Sequence, residues 1–344
     1  MIKLIFIKPS KSIILIKIGG TKMKSSFTRF FILLLALFTI TGCSSNASGA
    51  NGKPKKIILD YAYYSPTSLI LKEKGFAEDL FKKEGIEVEF VLSQGSNKAL
   101  EFLNSKSVDF GSSAGAAALL AKAKGSPIQT VYIFSKPEWT ALVSKDSSIN
   151  SVEDLKGKKV AATLGTDPYI FLLRALEDKG LSAKDVEIIN LQHADGAAAL
   201  LSGEVVAWAG LDPHMARVEK EAGANLFFRN PDFNTYGTLN VRTEFAEKYP
   251  EYVTKVIEAY EKARQWAIDH PEETAEILAK EAQIDIEVAK IQIGRNDFST
   301  SKPGDEQIAA ITAAGDVLKN EGLVEGNADI EKIVRDLINS SYFK

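Results

Sequence analysis

The sequence predicts an α/β protein of two lobes, arranged as a clamshell, with a helical C-terminal region. Three observations carry this expectation. From Lys56 onward, short β-prone runs alternate with amphipathic stretches of helical spacing, the pattern of βαβ units around a parallel sheet. After Ser144-Lys145-Asp146-Ser147-Ser148 the alternation restarts, and from Phe245 it gives way to helices. At 344 residues the chain also exceeds the size at which one core stops growing.

In the first unit, residues 57–61 read as a strand. Residues 69–84 read as one amphipathic helix, with Leu69, Leu71, Phe76, Leu80 and Phe81 near helical spacing. A strand at 88–92, a helix at 98–104, a strand at 108–111 and a helix at 114–124 follow, then strands at 129–134 and 140–143. The second unit has strands at 159–163, 186–191, 205–208 and 225–228, separated by helices at 169–179, 194–202 and 213–222. Residues 236–242 form an extended crossing back. In the C-terminal region Tyr252, Val253, Val256, Ile257, Tyr260, Ala263 and Trp266 share one helical face, and Pro271 starts a further helix with Glu272 and Glu273 in its first turn. Residues 305–319 and 328–340 are helical as well. The second unit is thus inserted into the first. Lobe I comprises 56–144 plus 236–344, lobe II comprises 145–235, and the crossings near 140–143 and 236–242 are the expected hinge.

Ahead of this body lies an export signal. Lys22, Lys24 and Arg29 precede an apolar run at 30–40, the length of a signal-peptide core and too short to span a bilayer. Ile40-Thr41-Gly42-Cys43 resembles the bacterial lipobox, which implies cleavage before Cys43 and lipidation of its thiol. Residues 1–43 are therefore read as the signal peptide, with translation starting at Met23, and the Ser/Gly/Asn-rich stretch 44–55 as a flexible tether. Two acyl chains hold a protein stably on a membrane where one does not. The expected location is the extracytoplasmic face of the cell membrane.

Composition excludes several function classes. With 42 basic and 45 acidic residues, and no basic run after Lys56, nucleic acid is not an expected partner. The single cysteine forbids an intramolecular disulfide and a four-thiolate zinc site. Three scattered histidines show no ligand spacing, so neither a metal nor a cofactor is expected. There is no Ser/His/Asp order, P-loop or dinucleotide turn, and no enzyme activity is expected.

In a clamshell the carboxyl ends of the strands of both lobes face one cleft, and ligands of open parallel sheets bind there. Four strand-to-helix turns carry hydroxyl residues: Tyr63-Tyr64-Ser65-Pro66-Thr67-Ser68, Ser93-Gln94-Gly95-Ser96-Asn97, Gly111-Ser112-Ser113-Ala114-Gly115 and Leu164-Gly165-Thr166-Asp167-Pro168. Each offers free backbone N–H groups and a hydroxyl to an anion, although each also suits simple helix capping. Tyr61, Tyr63, Tyr64, Trp139, Tyr169, Trp208 and Tyr236 lie at the same ends, accompanied by Asp60, Glu138, Asp167 and Asp212. These aromatics either line the cleft or pack in the core. The expected ligand-binding residues are Tyr63, Tyr64, Gln94, Ser112, Ser113, Trp139, Gly165, Thr166, Asp167, Trp208 and Asp212, and the expected ligand is a small organic anion or zwitterion.

Several segments resemble a known family: Val108-Asp109-Phe110-Gly111-Ser112-Ser113, Ser151-Val152-Glu153-Asp154-Leu155-Lys156-Gly157-Lys158-Lys159-Val160-Ala161, Gly165-Thr166-Asp167, Gly203-Glu204-Val205-Val206-Ala207-Trp208, Asp212-Pro213 and Phe245-Ala246-Glu247-Lys248-Tyr249-Pro250-Glu251. In order and spacing they are similar to the nitrate/sulfonate/taurine substrate-binding proteins, and within these to the aliphatic sulfonate-binding branch. The resemblance implies a type II periplasmic-binding fold acting as a monomer with an ABC permease and ATPase. It also implies a site lined by the turn after the third strand, by Gly165-Thr166-Asp167 and by the 208–212 region. Leu59-Asp60-Tyr61 resembles relatives that bind thiamine-pyrimidine precursors, which keeps those ligands, taurine and nitrate as alternatives. Thiamine-pyrimidine synthases share the fold but depend on clustered cysteines, which this chain lacks.

Overall fold

The computed structural model describes residues 52–343. The signal segment, Cys43 and most of the tether lie outside the described residues. In chain order the elements begin β1 (Lys56–Tyr61), α1 (Pro66–Glu73), α2 (Phe76–Lys82), β2 (Glu87–Leu92), α3 (Ser96–Asn104), β3 (Phe110–Ala114), α4 (Gly115–Ala123) and β4 (Ile128–Pro137). Then come β5 (Thr140–Ser144), β6 (Lys159–Ala162), α5 (Asp167–Asp178), β7 (Glu187–Asn190), α6 (His193–Ser202), β8 (Ala207–Leu211), α7 (His214–Ala222) and β9 (Asn225–Phe228). The chain returns through β10 (Gly237–Arg242), α8 (Thr243–Lys248), α9 (Pro250–Asp269), α10 (Pro271–Ala282), α11 (Ile286–Gly294) and β11 (Asn296–Asp297). It ends with α12 (Asp305–Ala313), α13 (Gly315–Asn320) and α14 (Ile330–Leu337).

Two mixed sheets result, ordered β11-β4-β10-β3-β1-β2 and β7-β6-β8-β5-β9. In each, the parallel strands that follow βαβ logic are joined by antiparallel strands belonging to the crossings: β10 pairs with β3 and β4, and β5 with β8 and β9. Thr140–Ser144 pairs with β8 along its length and with β9 over Leu142–Ser144, and Gly237–Arg242 lies between β3 and β4, so the parts of the crossings outside the sheets are residues 138–139 and 229–236.

The second sheet is covered on both faces, and its strands alternate accordingly. Val160, Ala162, Leu142, Ala207 and Ala209 face one cluster with α5, while Ala161, Ala141, Val143 and Trp208 face another with α6 and α7. The first of these clusters also takes Ala116, Leu119 and Leu120 from α4 and Ile311, Leu318 and Val334 from the last three helices. The second lobe's core therefore starts at β5 and extends into α4 and α12–α14, beyond the expected limits of 145 and 235.

Two further differences have local causes. The single helix expected at 69–84 is two, broken at Gly75, whose φ of +66° a side chain would disfavour. Ser112 and Ser113, expected in a turn, lie within β3, where the small residues Gly111-Ser112-Ser113 let α3 approach closely. A Cβ on Gly111 would lie 2.9 Å from Leu103 Cδ1.

Candidate functional site

A cavity of about 260 Å³ lies where strand ends of both lobes converge. Tyr63 and Tyr64 follow β1, and Ser93 and Gln94 follow β2. From the second lobe, Gln192, His193 and Asp195 follow β7, and Asp212 and His214 follow β8. The lobes touch across this cleft. A Cβ built on Gly95 of the first lobe would lie 2.9 Å from His193 Nε2, and one on Gly165 of the second would lie 3.7 Å from Asn97 Cβ. A larger, open groove of about 540 Å³ runs between α3 and α4 past Leu100, Ala117 and Leu120 to Gly165. It lies off the converging strand ends, so the smaller cavity is the candidate site.

The cavity lining contains no lysine or arginine. Its histidines are held neutral: burial, helped by His214, pushes His193 down to about 3, and burial with Arg217 nearby pushes His214 down to about 4. Asp212 is completely buried and is matched from the other lobe by Arg295, whose Nη1 lies 3.0 and 3.2 Å from its two oxygens. Arg295 follows α11, and its Nη2 also bonds Glu219 on α7. The cleft thus offers amides, hydroxyls, neutral imidazoles, aromatic faces and the carboxyls of Asp195 and Asp212, a set suited to hydrogen-bonded recognition.

Of the sequence-predicted residues, Tyr63, Tyr64, Gln94 and Asp212 line the cavity. Tyr64 is locked there by donating to the Ser112 carbonyl at 2.8 Å and by packing edge-on against Trp139. The others are brought close but turned to internal partners. Ser112 donates from its N–H and hydroxyl to Asp60 Oδ1, at 2.8 and 2.9 Å. Ser113 accepts from Asn240 Nδ2 at 2.8 Å, and the Thr166 hydroxyl donates to the Thr163 carbonyl at 2.6 Å. Trp208 is fully buried beneath α6, where a Cβ on Gly196 would come within 2.6 Å of its Nε1. Gly165 borders the larger groove, at φ +77°.

Trp139 and Asp167 form a different constellation. The Trp139 indole donates to Asp167 Oδ2 at 3.0 Å, while Thr235 donates its hydroxyl to Oδ1 at 2.6 Å and its N–H to Oδ2 at 3.3 Å. Trp139 lies on one connection between the lobes and Thr235 on the other, so a buried carboxylate from the head of α5 ties the two together. The start of α4 is pinned to the same place, since Ala116 N–H donates to Thr235 Oγ1 at 2.8 Å.

Sequence reading missed Ser93, Gln192, His193, Asp195 and His214 as lining groups, and Arg295 as the partner of Asp212. The turn after β7 could have been found, because Leu191-Gln192-His193 ends a strand and opens a helix as the other four turns do. Arg295 could not, because its partner lies 83 residues away in sequence.

A family model described as NMT1/THI5 like matches residues 68–274. A relative from Bacillus subtilis (strain 168), provisionally named an aliphatic sulfonates-binding protein, is 29% identical over 91% of this chain and 95% of its own. The periplasmic aliphatic sulphonate binding protein SsuA from Escherichia coli is 26% identical, covering 81% of this chain and 92% of its own, with a TM-score of 0.70. The alkanesulfonate-binding protein SsuA from Xanthomonas axonopodis pv. citri, solved bound to MOPS, is 22% identical over 84% of this chain and 100% of its own, with a TM-score of 0.77. The fold is that of the periplasmic binding proteins. With the family match extending over more than half its length, this chain belongs to the NMT1/THI5-like family.

Proposed function

We propose that this protein is the substrate-binding subunit of an ABC importer for aliphatic sulfonates, anchored through Cys43 on the extracytoplasmic face of the membrane. Its named relatives are binding proteins, and this chain is one too, not an enzyme. The observation that carries the reading is the cavity where strand ends of both lobes meet, lined by amide, hydroxyl, phenol and imidazole groups together with the carboxyls of Asp195 and Asp212, the latter paired with Arg295, and among the described residues without a basic side chain of its own. A sulfonate is fully ionised and needs several hydrogen bonds rather than a proton partner, and such a lining supports that. Among the described residues no helix is long and apolar enough to cross a membrane.

In the mechanism, ligand binds one lobe, residues 138–139 and 229–236 bend, and closure brings the Gln94 and His193 walls together. Closure is driven by contacts made only in the closed state, because a ligand shifts an equilibrium only by its differential affinity. The closed form then docks on the permease, which the ATPase powers.

A thermal-shift screen of alkanesulfonates, taurine, nitrate and pyrimidines, followed by calorimetry, tests the ligand class. A ligand at 100 times its Kd stabilises by about 2.7 kcal/mol. A shift with pyrimidines and none with sulfonates would move the assignment to the thiamine-precursor class. Labelling cells with a radioactive fatty acid should mark the wild-type chain and not Cys43→Ala; equal labelling refutes the anchor.

A further inference from the structure

His193 opens α6 at the cavity, and the residue is 2% exposed. Its tautomer follows from its neighbours. Thr163 Oγ1 lies 3.2 Å from His193 Nδ1, but the one proton of that hydroxyl is given to the Leu191 carbonyl at 2.7 Å. Thr163 can therefore only accept from the ring, so Nδ1 carries the proton and Nε2 holds a free lone pair. That Nε2 is buried and has no partner among the described residues. Across the cleft stand Gly95, which has no side chain with which to donate, and the Asn97 amide, whose Oδ1 lies beside Gly95 and is likewise buried without a partner among the described residues. One more polar atom of the same lining, Gln192 Oε1 beside it, is buried without a partner among the described residues.

A buried acceptor left unpaired is costly, and native proteins rarely keep one unless something else supplies the donor. We propose that His193 is a specificity-determining residue whose Nε2 accepts a hydrogen bond from an O–H or N–H of the bound molecule. The inference rests on reading this cavity as the ligand site, and it deepens that reading. A sulfonate group has only acceptors, so it cannot satisfy Nε2, and the donor must sit on the rest of the molecule. Burial and His214 keep the imidazole neutral, so the ring does not act as a cation toward the anionic head. The cleft therefore selects hydroxyl- or amino-bearing ligands over otherwise identical ones that lack the donor.

The test is calorimetric titration of the full chain with two matched pairs, ethanesulfonate against 2-hydroxyethanesulfonate and 2-methylpyrimidine against 4-amino-2-methylpyrimidine. The wild type should bind the donor-bearing member of a pair about tenfold or more tightly. In His193→Phe that ratio should collapse to about one, and in His193→Gln, which keeps an acceptor, part of it should survive. A purely structural role for His193 would weaken both members alike and leave the ratio intact, which would overturn the proposal. Equal affinities within the pair that binds the wild type would overturn it without any variant. Binding confined to the pyrimidine pair would refute the sulfonate reading, yet the ratio within that pair still decides the role of His193. Absence of binding by all four compounds would refute both.

Discussion

Arg295 joins the lobes beside the cleft, and removing it should both destabilise the protein and open it. Its side chain is 10% exposed and that of Asp212 is 0%, while Glu219 is 34% exposed. Arg295→Met keeps much of the aliphatic packing but takes away the charge. Glu219 can then return to water, and its lost pairing is worth about 1 kcal/mol or less. Asp212 cannot, since it retains only the Ala216 N–H at 2.9 Å. Burial already raises Asp212 to about 6 against the pull of Arg295, so without that partner it rises further, and keeping this carboxyl buried, charged or by taking up a proton, costs up to about 3–5 kcal/mol. Arg295 follows α11 and Asp212 ends β8 of the other lobe, so the penalty falls on the closed arrangement and parting of the lobes relieves it. Urea unfolding without ligand should show the loss, and small-angle scattering should show a larger radius of gyration. Asp212→Asn combined with Arg295→Met buries no charge and should recover about 2 kcal/mol or more relative to the single Arg295 variant. A single variant within about 0.5 kcal/mol of wild type and equally compact would refute the argument, as would strict additivity in the double.

Other sites give separate tests. Burial raises Asp60 to about 6, against which Ser112 N–H and hydroxyl pull it down, and among the described residues it has no cationic partner. Its folded pKa lies above the unfolded value, so its contribution is fully present below about pH 4 and is lost as pH rises through about 6. By pH 7 the loss is about 3 kcal/mol. Asp60→Asn should flatten that segment of the stability–pH curve, and an unchanged curve by urea titration would refute the assignment. Asp167→Asn keeps one acceptor oxygen of two, so its NH₂ meets either the Trp139 indole and Thr235 N–H or the Thr235 hydroxyl, and it should cost about 1–3 kcal/mol in unfolding experiments; a neutral result would mean the carboxylate does not tie the two connections. Gly196→Ala forces a methyl against the buried Trp208 indole and should cost about 1–3 kcal/mol, visible as a lower Tm with altered tryptophan fluorescence.

Much of the fold was legible because its signals are local. The strand at Asn225–Phe228 falls where alternation places it, and Pro271 starts its helix as its fixed φ requires. Side-chain direction was not legible. Trp208 and Tyr64 both stand near strand ends, yet one faces the α6 side of its sheet and the other lines the cleft. Their sequence neighbourhoods do not distinguish these outcomes, because the decision depends on which helix covers which face. Ser112 and Ser113 read as an anion-binding turn for the same reason. Asp60, 52 residues earlier, and Asn240, 127 residues later, claim their polar atoms instead.

By itself the sequence determined the two-lobed α/β class and the helical C-terminal region. Periodicity, turn chemistry and capping act within a few residues and are written directly in the chain. Only the tertiary structure decided which polar groups face the cavity and which are consumed within the fold. It alone joins Arg295 to Asp212, ties Trp139 and Thr235 through Asp167, and leaves the Nε2 of His193 without a donor among the described residues. A hydrogen bond belongs to whichever partner packing brings within 3 Å or so, and for these residues the partners lie tens to more than a hundred positions away along the chain.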